Sequence, residues 1–252
     1  MTQEGKYIYC IIGTNEDRNF GPIGIGGRGD IVSTICYQGL AMVISNTPMT
    51  KYVLSRENLT AHIKVIEEVM KDYTVLPVRF CTIAANTEEI YSLLGKRHTE
   101  FKNLLRDMDN KIEMGLKAIW KDMSKIFAEI VEENRGIKRL KSRIMKKTPE
   151  KSYADKIEVG KLVQSALIAK KAEEGEAIIE LLKRIAVDFR LNETATDSML
   201  LNAAFLIDSG REKEFDNLME DLDTKYGDRI RFKYVGPVPP YNFVDITIHE
   251  ES

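Results

Sequence analysis

Hydrophobic positions along the chain change period several times, and each change marks an element. Tyr7 to Gly13 is a nearly unbroken apolar run, and Asp30 to Tyr37 is a second, rich in β-branched Ile31, Val32, Thr34 and Ile35. Leu40 to Ser45 follows Gly39, so the opening predicts strands joined as a meander or hairpin. From Ser55 to Lys71 the period becomes helical, with Leu59, Ile63, Ile66 and Met70 on one face. Val75 to Cys81 returns to strand, with Pro77 at its start or on an edge. Thr87 is the expected cap of a helix with Glu88 and Glu89 in its first turn, which runs past a break near Gly95 to Leu105. This first α+β unit is expected to cover residues 1–109.

A second unit is expected over residues 110–235. Ile112, Met114, Leu116, Ala118 and Trp120 alternate with Glu113, Gly115 and Lys117, the mark of a strand with one buried face. Met123, Ile126, Phe127, Ile130 and Val131 fall at helical spacing. Pro149 separates a basic segment from a long helix, Tyr153 to Ala186. A short strand, Val187–Asn192, the apolar run Ser198–Asp208, an amphipathic helix Glu212–Tyr226 and a strand Arg229–Val235 complete the order β-α-β-β-α-β. That is the split βαβ, ferredoxin-like order. The fold class is α+β, in two units.

The last strand runs into Gly236-Pro237-Val238-Pro239-Pro240-Tyr241-Asn242-Phe243-Val244. Three prolines in five residues forbid helix, remove ladder donors and hold their neighbours extended. The segment is therefore stiff before it touches anything. Tyr241 and Phe243 are its expected apolar anchors, and its expected use is contact, not chemistry.

Composition narrows the function classes. Of 252 residues, 43% are hydrophobic and 30% charged, with net charge −2, so no global field draws the chain to nucleic acid or an acidic membrane. Cys10, Cys36 and Cys81 form no CxxC pair and sit in apolar runs, which reads as reduced core cysteines. Met1 to Lys6 begins no signal peptide and no apolar run approaches a membrane span, so the cytoplasm is the expected compartment.

Candidate chemistry is sparse. Gly24-Ile25-Gly26-Gly27-Arg28-Gly29 would cradle phosphate if a helix N-terminus followed, but a strand follows. A tight surface turn is the favoured reading, and a nucleotide-binding enzyme using this loop is the alternative. His62, His98 and His249 lack metal-ligand spacing, and no catalytic motif is present, so no catalytic, cofactor or metal residue is assigned. Arg135 to Lys151 carries Arg135, Lys138, Arg139, Lys141, Arg143, Lys146, Lys147 and Lys151 against Glu150. It has no aromatics for base stacking, so a solvated face or acidic protein partner is preferred to a nucleic-acid module. Arg79 interrupts an apolar strand and needs a counter-charge; an ion pair between the units, with Glu113 as the candidate partner, is preferred to an anion site.

Several of these stretches together resemble the gas vesicle protein family GvpF/GvpL, over nearly the whole chain. The resemblance rests on Tyr7-Ile8-Tyr9, the Gly24–Gly27 loop, Leu76-Pro77-Val78-Arg79-Phe80, Ile112 to Lys117, Leu201 to Ile207 and, most specifically, Gly236 to Val244. Val238 stands where the family usually has tryptophan, and Cys81 where it usually has glycine. The resemblance implies a non-enzymatic, minor structural or assembly component of gas vesicles, without cofactor. It implies an N-terminal α+β domain, a modified ferredoxin-like domain, and a tail, residues 236–252, that packs back on the N-terminal domain. The implied partners are the hydrophobic shell protein GvpA and other accessory Gvp proteins. Arg79, Glu113, Gly236, Pro237, Pro239, Pro240, Tyr241 and Phe243 are the structural or interaction residues we expect.

Overall fold

The computed structural model describes residues 4–146 and 152–248. Its strands and helices run β1 Glu4–Ile12, β2 Asn19–Gly21, β3 Val32–Tyr37, β4 Leu40–Pro48, α1 Arg56–Met70, β5 Val75–Pro77, β6 Ile83–Ala84, α2 Thr87–Lys96 and α3 His98–Met108. They continue as β7 Lys111–Trp120, α4 Met123–Glu133, α5 Arg135–Met145, α6 Tyr153–Leu182, β8 Ala186–Leu191, β9 Met199–Asp208, α7 Glu212–Tyr226 and β10 Ile230–Val238. Contacts divide the chain into two compact units: Met1–Glu113 with Leu206–Gly210 and Gly236–Ser252, and Met114–Phe205 with Arg211–Val235.

The first unit is a six-stranded sheet in the order β2-β3-β4-β1-β5, with β6 also beside β1. β1 is antiparallel to β4, and β3 to β4. Being central and covered on both faces, β1 needs the continuous apolar run that its sequence supplies. Simple alternation fails inside it, because a bulge between Ile8 and Cys10 shifts the register against β4. As a result Tyr7, Tyr9, Cys10 and Ile12 pack with Val65, Ile66 and Val69 of α1. Ile8 and Ile11 pack with Ile90 and Leu94 of α2 and Phe101 and Leu105 of α3.

Local signals set the helix ends. Ser55 caps α1 by accepting from the Asn58 amide at 3.2 Å, which satisfies one orphan donor of the first turn. Asn86, not Thr87, caps α2, accepting from the Glu89 amide at 2.9 Å. The expected single helix with a break near Gly95 is two helices, with Arg97 between them.

The second unit carries a four-stranded sheet, order β10-β7-β9-β8. Numbered within the unit this is fourth-first-third-second, the split βαβ arrangement that the element order predicts. Met114, Leu116, Ala118 and Trp120 of β7 are buried, the face that alternation selects. Phe189 of β8, Phe205 of β9, Phe215 of α7 and Tyr234 of β10 form a chain of ring contacts, with centroids 6.2, 5.6 and 5.7 Å apart. Arg229 bridges Glu129 of α4 and Glu174 of α6, at 2.6 and 2.7 Å, and Trp120 donates to the same Glu174 at 2.8 Å.

Candidate functional site: the C-terminal tail and the groove beside it

The prolines of the tail order it locally. Gly236-Pro237 is a cis peptide. Pro239 and Pro240 are buried, and the Pro240 carbonyl accepts from the amides of Phe243 and Val244 at 3.1 and 3.0 Å, closing a turn. Beyond that turn the chain is extended. Val244 and Ile246 are 5% and 1% exposed and enter the core beneath α2 and α3, and Ile246 bridges to Val78 in parallel.

Polar contacts fix the same segment. The Glu113 carboxylate accepts from the backbone and side-chain nitrogens of Asn242, at 2.8 and 2.6 Å. Burial pushes the Glu113 carboxyl above the ordinary range, against the pull of those two bonds. Arg79 meets Asp245 with its Nε at 3.1 Å and one terminal nitrogen at 2.8 and 3.0 Å. Both side chains of that pair are mostly exposed, 62% and 71%, so it adds register more than stability. Arg97 donates to the Thr247 carbonyl at 3.0 Å.

Two sequence expectations are corrected here. Arg79 does not pair with Glu113. β5 ends at Pro77, so Arg79 lies past the ladder in solvent and finds Asp245, while Glu113 is turned inward to Asn242. Tyr241 and Phe243 are not the deepest anchors: Tyr241 is exposed and Phe243 half-buried, and Val244 and Ile246 take that role. The signal for the latter was available, since Val244, Ile246 and Ile248 alternate with Asp245 and Thr247. Asn242 and Asp245, the tail's polar partners, had no such signal.

Between α1 and the tail lies a groove of about 560 Å³, lined by Leu59, His62, Ile63, Phe80, Tyr241 and Val244 among others, with Arg79 and Asp245 also on its wall. His62 is 2% exposed; burial lowers its imidazole to about 4, so it is neutral at pH 7. Its Nδ1 lies 3.0 Å from the Tyr7 hydroxyl, which also accepts from the Cys81 amide at 2.9 Å. Tyr9 meets Ser45 at 2.9 Å and accepts from the Ile25 amide at 2.8 Å. Burial raises both phenols and the Cys10 thiol above their ordinary ranges, the opposite of activating a nucleophile. The network therefore serves to satisfy buried polar groups.

The glycine loop is absorbed by the same network. Ile25 is fully buried, and a Cβ on Gly26 would lie 2.8 Å from the Tyr52 hydroxyl. The Ile25 amide is spent on Tyr9, and the loop leads into β3 and not into a helix. Only Cys10 of the cysteines is in the core; Cys36 and Cys81 are partly exposed, and all three are free. Part of the basic run is spent on ion pairs, Arg143 with buried Asp155 and Lys138 with Glu132. Lys147, Pro149, Glu150, Lys151 and His249 lie outside the described residues. Among the described residues no three His, Cys, Asp or Glu side chains gather as for a metal, and no helix is long and apolar enough to cross a membrane.

Comparison with known proteins fits this architecture throughout. The chain is 30% identical to gas vesicle protein F of Dolichospermum flosaquae over 87% of each, and 24% identical to gas vesicle protein F1 of Halobacterium salinarum over 99% of this chain and 97% of that one. The crystal structure of GvpF from an Anabaena species superposes with a TM-score of 0.83 at 26% identity, covering 97% of this chain and all of that one. GvpF from Microcystis aeruginosa gives 0.81 at 26%, over 96% and 99%. The sequence profile described as gas vesicle synthesis protein GvpL/GvpF matches residues 5–245, a span that holds both sheets and most of the tail, and the chain belongs to that family of gas vesicle proteins.

Proposed function

We propose that this protein acts stoichiometrically in gas vesicle formation, as a minor structural or assembly component that holds the hydrophobic shell protein GvpA, with other Gvp proteins, at nucleation. It works in the cytoplasm and on the gas vesicle, and turns over no small molecule. The observation that carries the reading is the family match across residues 5–245. The fold supplies surfaces suited to it. The groove beside the tail presents Leu59, Ile63, Phe80 and Tyr241, and nearby in sequence Val53 and Leu54 are 77% and 73% exposed. Apolar surface of this kind retains value only when a partner covers it. Arg79, Glu113, Gly236, Pro237, Pro239, Pro240, Tyr241 and Phe243 belong to this proposal as the residues that shape the tail. The expected domain division, 1–109, 110–235 and a tail of 236–252 that returns to the first, belongs to it too.

Co-expression with the shell protein and affinity recovery tests the reading. Shell protein is expected to be recovered with the wild-type chain and less of it with Leu59→Asp. Recovery of no shell protein counts against the proposal. Binding of nucleotide that Gly26 and Gly27 substitutions abolish, or steeply salt-dependent binding of nucleic acid, would favour the competing readings.

A further inference from the structure

The four-stranded sheet ends in two edge strands, β10 and β8, and they are built differently. On β10, exposed Arg231 and Lys233 flank Phe232, and Pro237 removes a donor. Two such edges laid antiparallel about Phe232 would set cation against cation, which is how natural sheets shut an edge. β8 has the opposite design. Asp188 and Arg190 carry opposite charges on either side of Phe189, and Val187 and Leu191 are 53% and 59% exposed.

Backbone direction shows what the β8 edge offers. The Asn192 amide donates to the Asn202 carbonyl at 2.8 Å, so by alternation the peptide groups of Val187, Phe189 and Leu191 point away from β9. Among the described residues, those at Phe189 meet neighbouring side chains: its amide donates to Asp188 Oδ1 at 2.8 Å, and Arg190 donates to its carbonyl at 3.2 Å. Asp188 and Arg190 also pair with each other at 2.8 Å, both about half exposed.

We propose that β8 pairs with β8 of a second copy of this chain, antiparallel about a two-fold axis through Phe189, joining two four-stranded sheets into one. In that register Phe189 faces its own copy and exchanges two backbone hydrogen bonds, and Val187 and Leu191 face the partner's Leu191 and Val187 and exchange four more. Asp188 falls opposite the partner's Arg190, and Arg190 opposite the partner's Asp188. These are non-hydrogen-bonded positions, where side chains come closest. Opposite charges there favour the pair, and the two-fold repeats each contact. Val187, Phe189 and Leu191 of both copies then line one face as a continuous apolar strip. The charge pattern Asp-Phe-Arg is self-complementary only in the antiparallel sense, which is why a second copy fits this edge. The contact is small, from a strand of six residues, so the association is weak.

Sedimentation of the full chain from about 10 µM to about 1 mM tests this, the upper range being where small interfaces are populated. Wild type should pass reversibly from monomer to dimer. Arg190→Asp sets carboxylate against carboxylate twice and should weaken the dimer by about tenfold or more. Asp188→Arg combined with Arg190→Asp restores the pattern and should restore the dimer. Trp120 fluorescence verifies that each variant is folded. Independently, Val187→Cys with Leu191→Cys should form a disulfide between copies, while Val187→Cys alone should not, because the two-fold keeps Val187 from the partner's Val187. A wild type that stays monomeric throughout, an Arg190→Asp dimer as tight as wild type, a double swap that fails to rescue, or equal cross-linking by the single cysteine would each overturn the proposal. So would protection of the Val187, Phe189 and Leu191 amides that rises only with added GvpA, which would give the edge to a foreign strand.

Discussion

Removing the Glu113 side chain should loosen the tail by an amount the geometry fixes. Glu113 is 3% exposed and its carboxylate accepts two bonds from Asn242, at 2.8 and 2.6 Å. Bonds to a charged group are each worth about 1.5–3 kcal/mol. Glu113→Ala loses both and leaves the Asn242 amide without its acceptor, but it also relieves a carboxylate held out of water. We expect a net loss of about 2–3 kcal/mol, read by urea denaturation with far-UV circular dichroism, and faster hydrogen exchange at Asn242 and Val244. Glu113→Gln separates shape from charge. Its oxygen still accepts from the Asn242 backbone and its amide can meet a flipped Asn242 side chain, so at pH 7 it should lie within about 1 kcal/mol of wild type. The pH dependence has a defined sign. Burial raises the folded-state carboxyl above its ordinary 4.5, so the folded protein binds the proton more tightly than the unfolded chain. That contribution is complete below the unfolded value and is lost as pH rises through the folded value. Wild type should therefore lose stability relative to Glu113→Gln on going from pH 4 to pH 8. A Glu113→Ala cost below about 0.5 kcal/mol, or a difference from Gln that is flat or opposite in sign, would refute the account.

Other perturbations act elsewhere. His62 is lowered from 6.5 to about 4 by burial, so below 6.5 the unfolded chain takes a proton that the folded protein refuses; about 3 kcal/mol should be lost between pH 6.5 and 4, and His62→Gln should flatten that acid limb in denaturation curves. Cys81 has φ of 64°, a left-handed position, so Cys81→Val should destabilise by about 1–2 kcal/mol and Cys81→Gly should not, which thermal melts would separate. Arg229→Lys cannot bridge Glu129 and Glu174 with paired bonds and should cost about 1–2 kcal/mol, visible in Trp120 fluorescence because Glu174 also holds the indole.

Much of the fold was legible in the chain. The helical period from Ser55 to Lys71, the alternation from Ile112 to Trp120 and the order β-α-β-β-α-β all describe backbone geometry that repeats every few residues, and neighbouring residues suffice to write it. The absence of helix from residues 236–248 was legible for the same reason, since each proline constrains its own φ and the residue before it. Tertiary structure decided the rest. The bulge at Tyr9 moved Cys10 to the face of α1, and no local pattern announces it. Arg79 took Asp245 and Glu113 took Asn242, partners 166 and 129 positions away, because strand ends and a buried tail brought them together. Asp188 and Arg190 were ordinary charges on a short strand until the sheet order left β8 at the edge. Period belongs to the covalent chain and can be read from it. The choice of a polar partner depends on which distant backbones meet, and on which charges that meeting takes out of water.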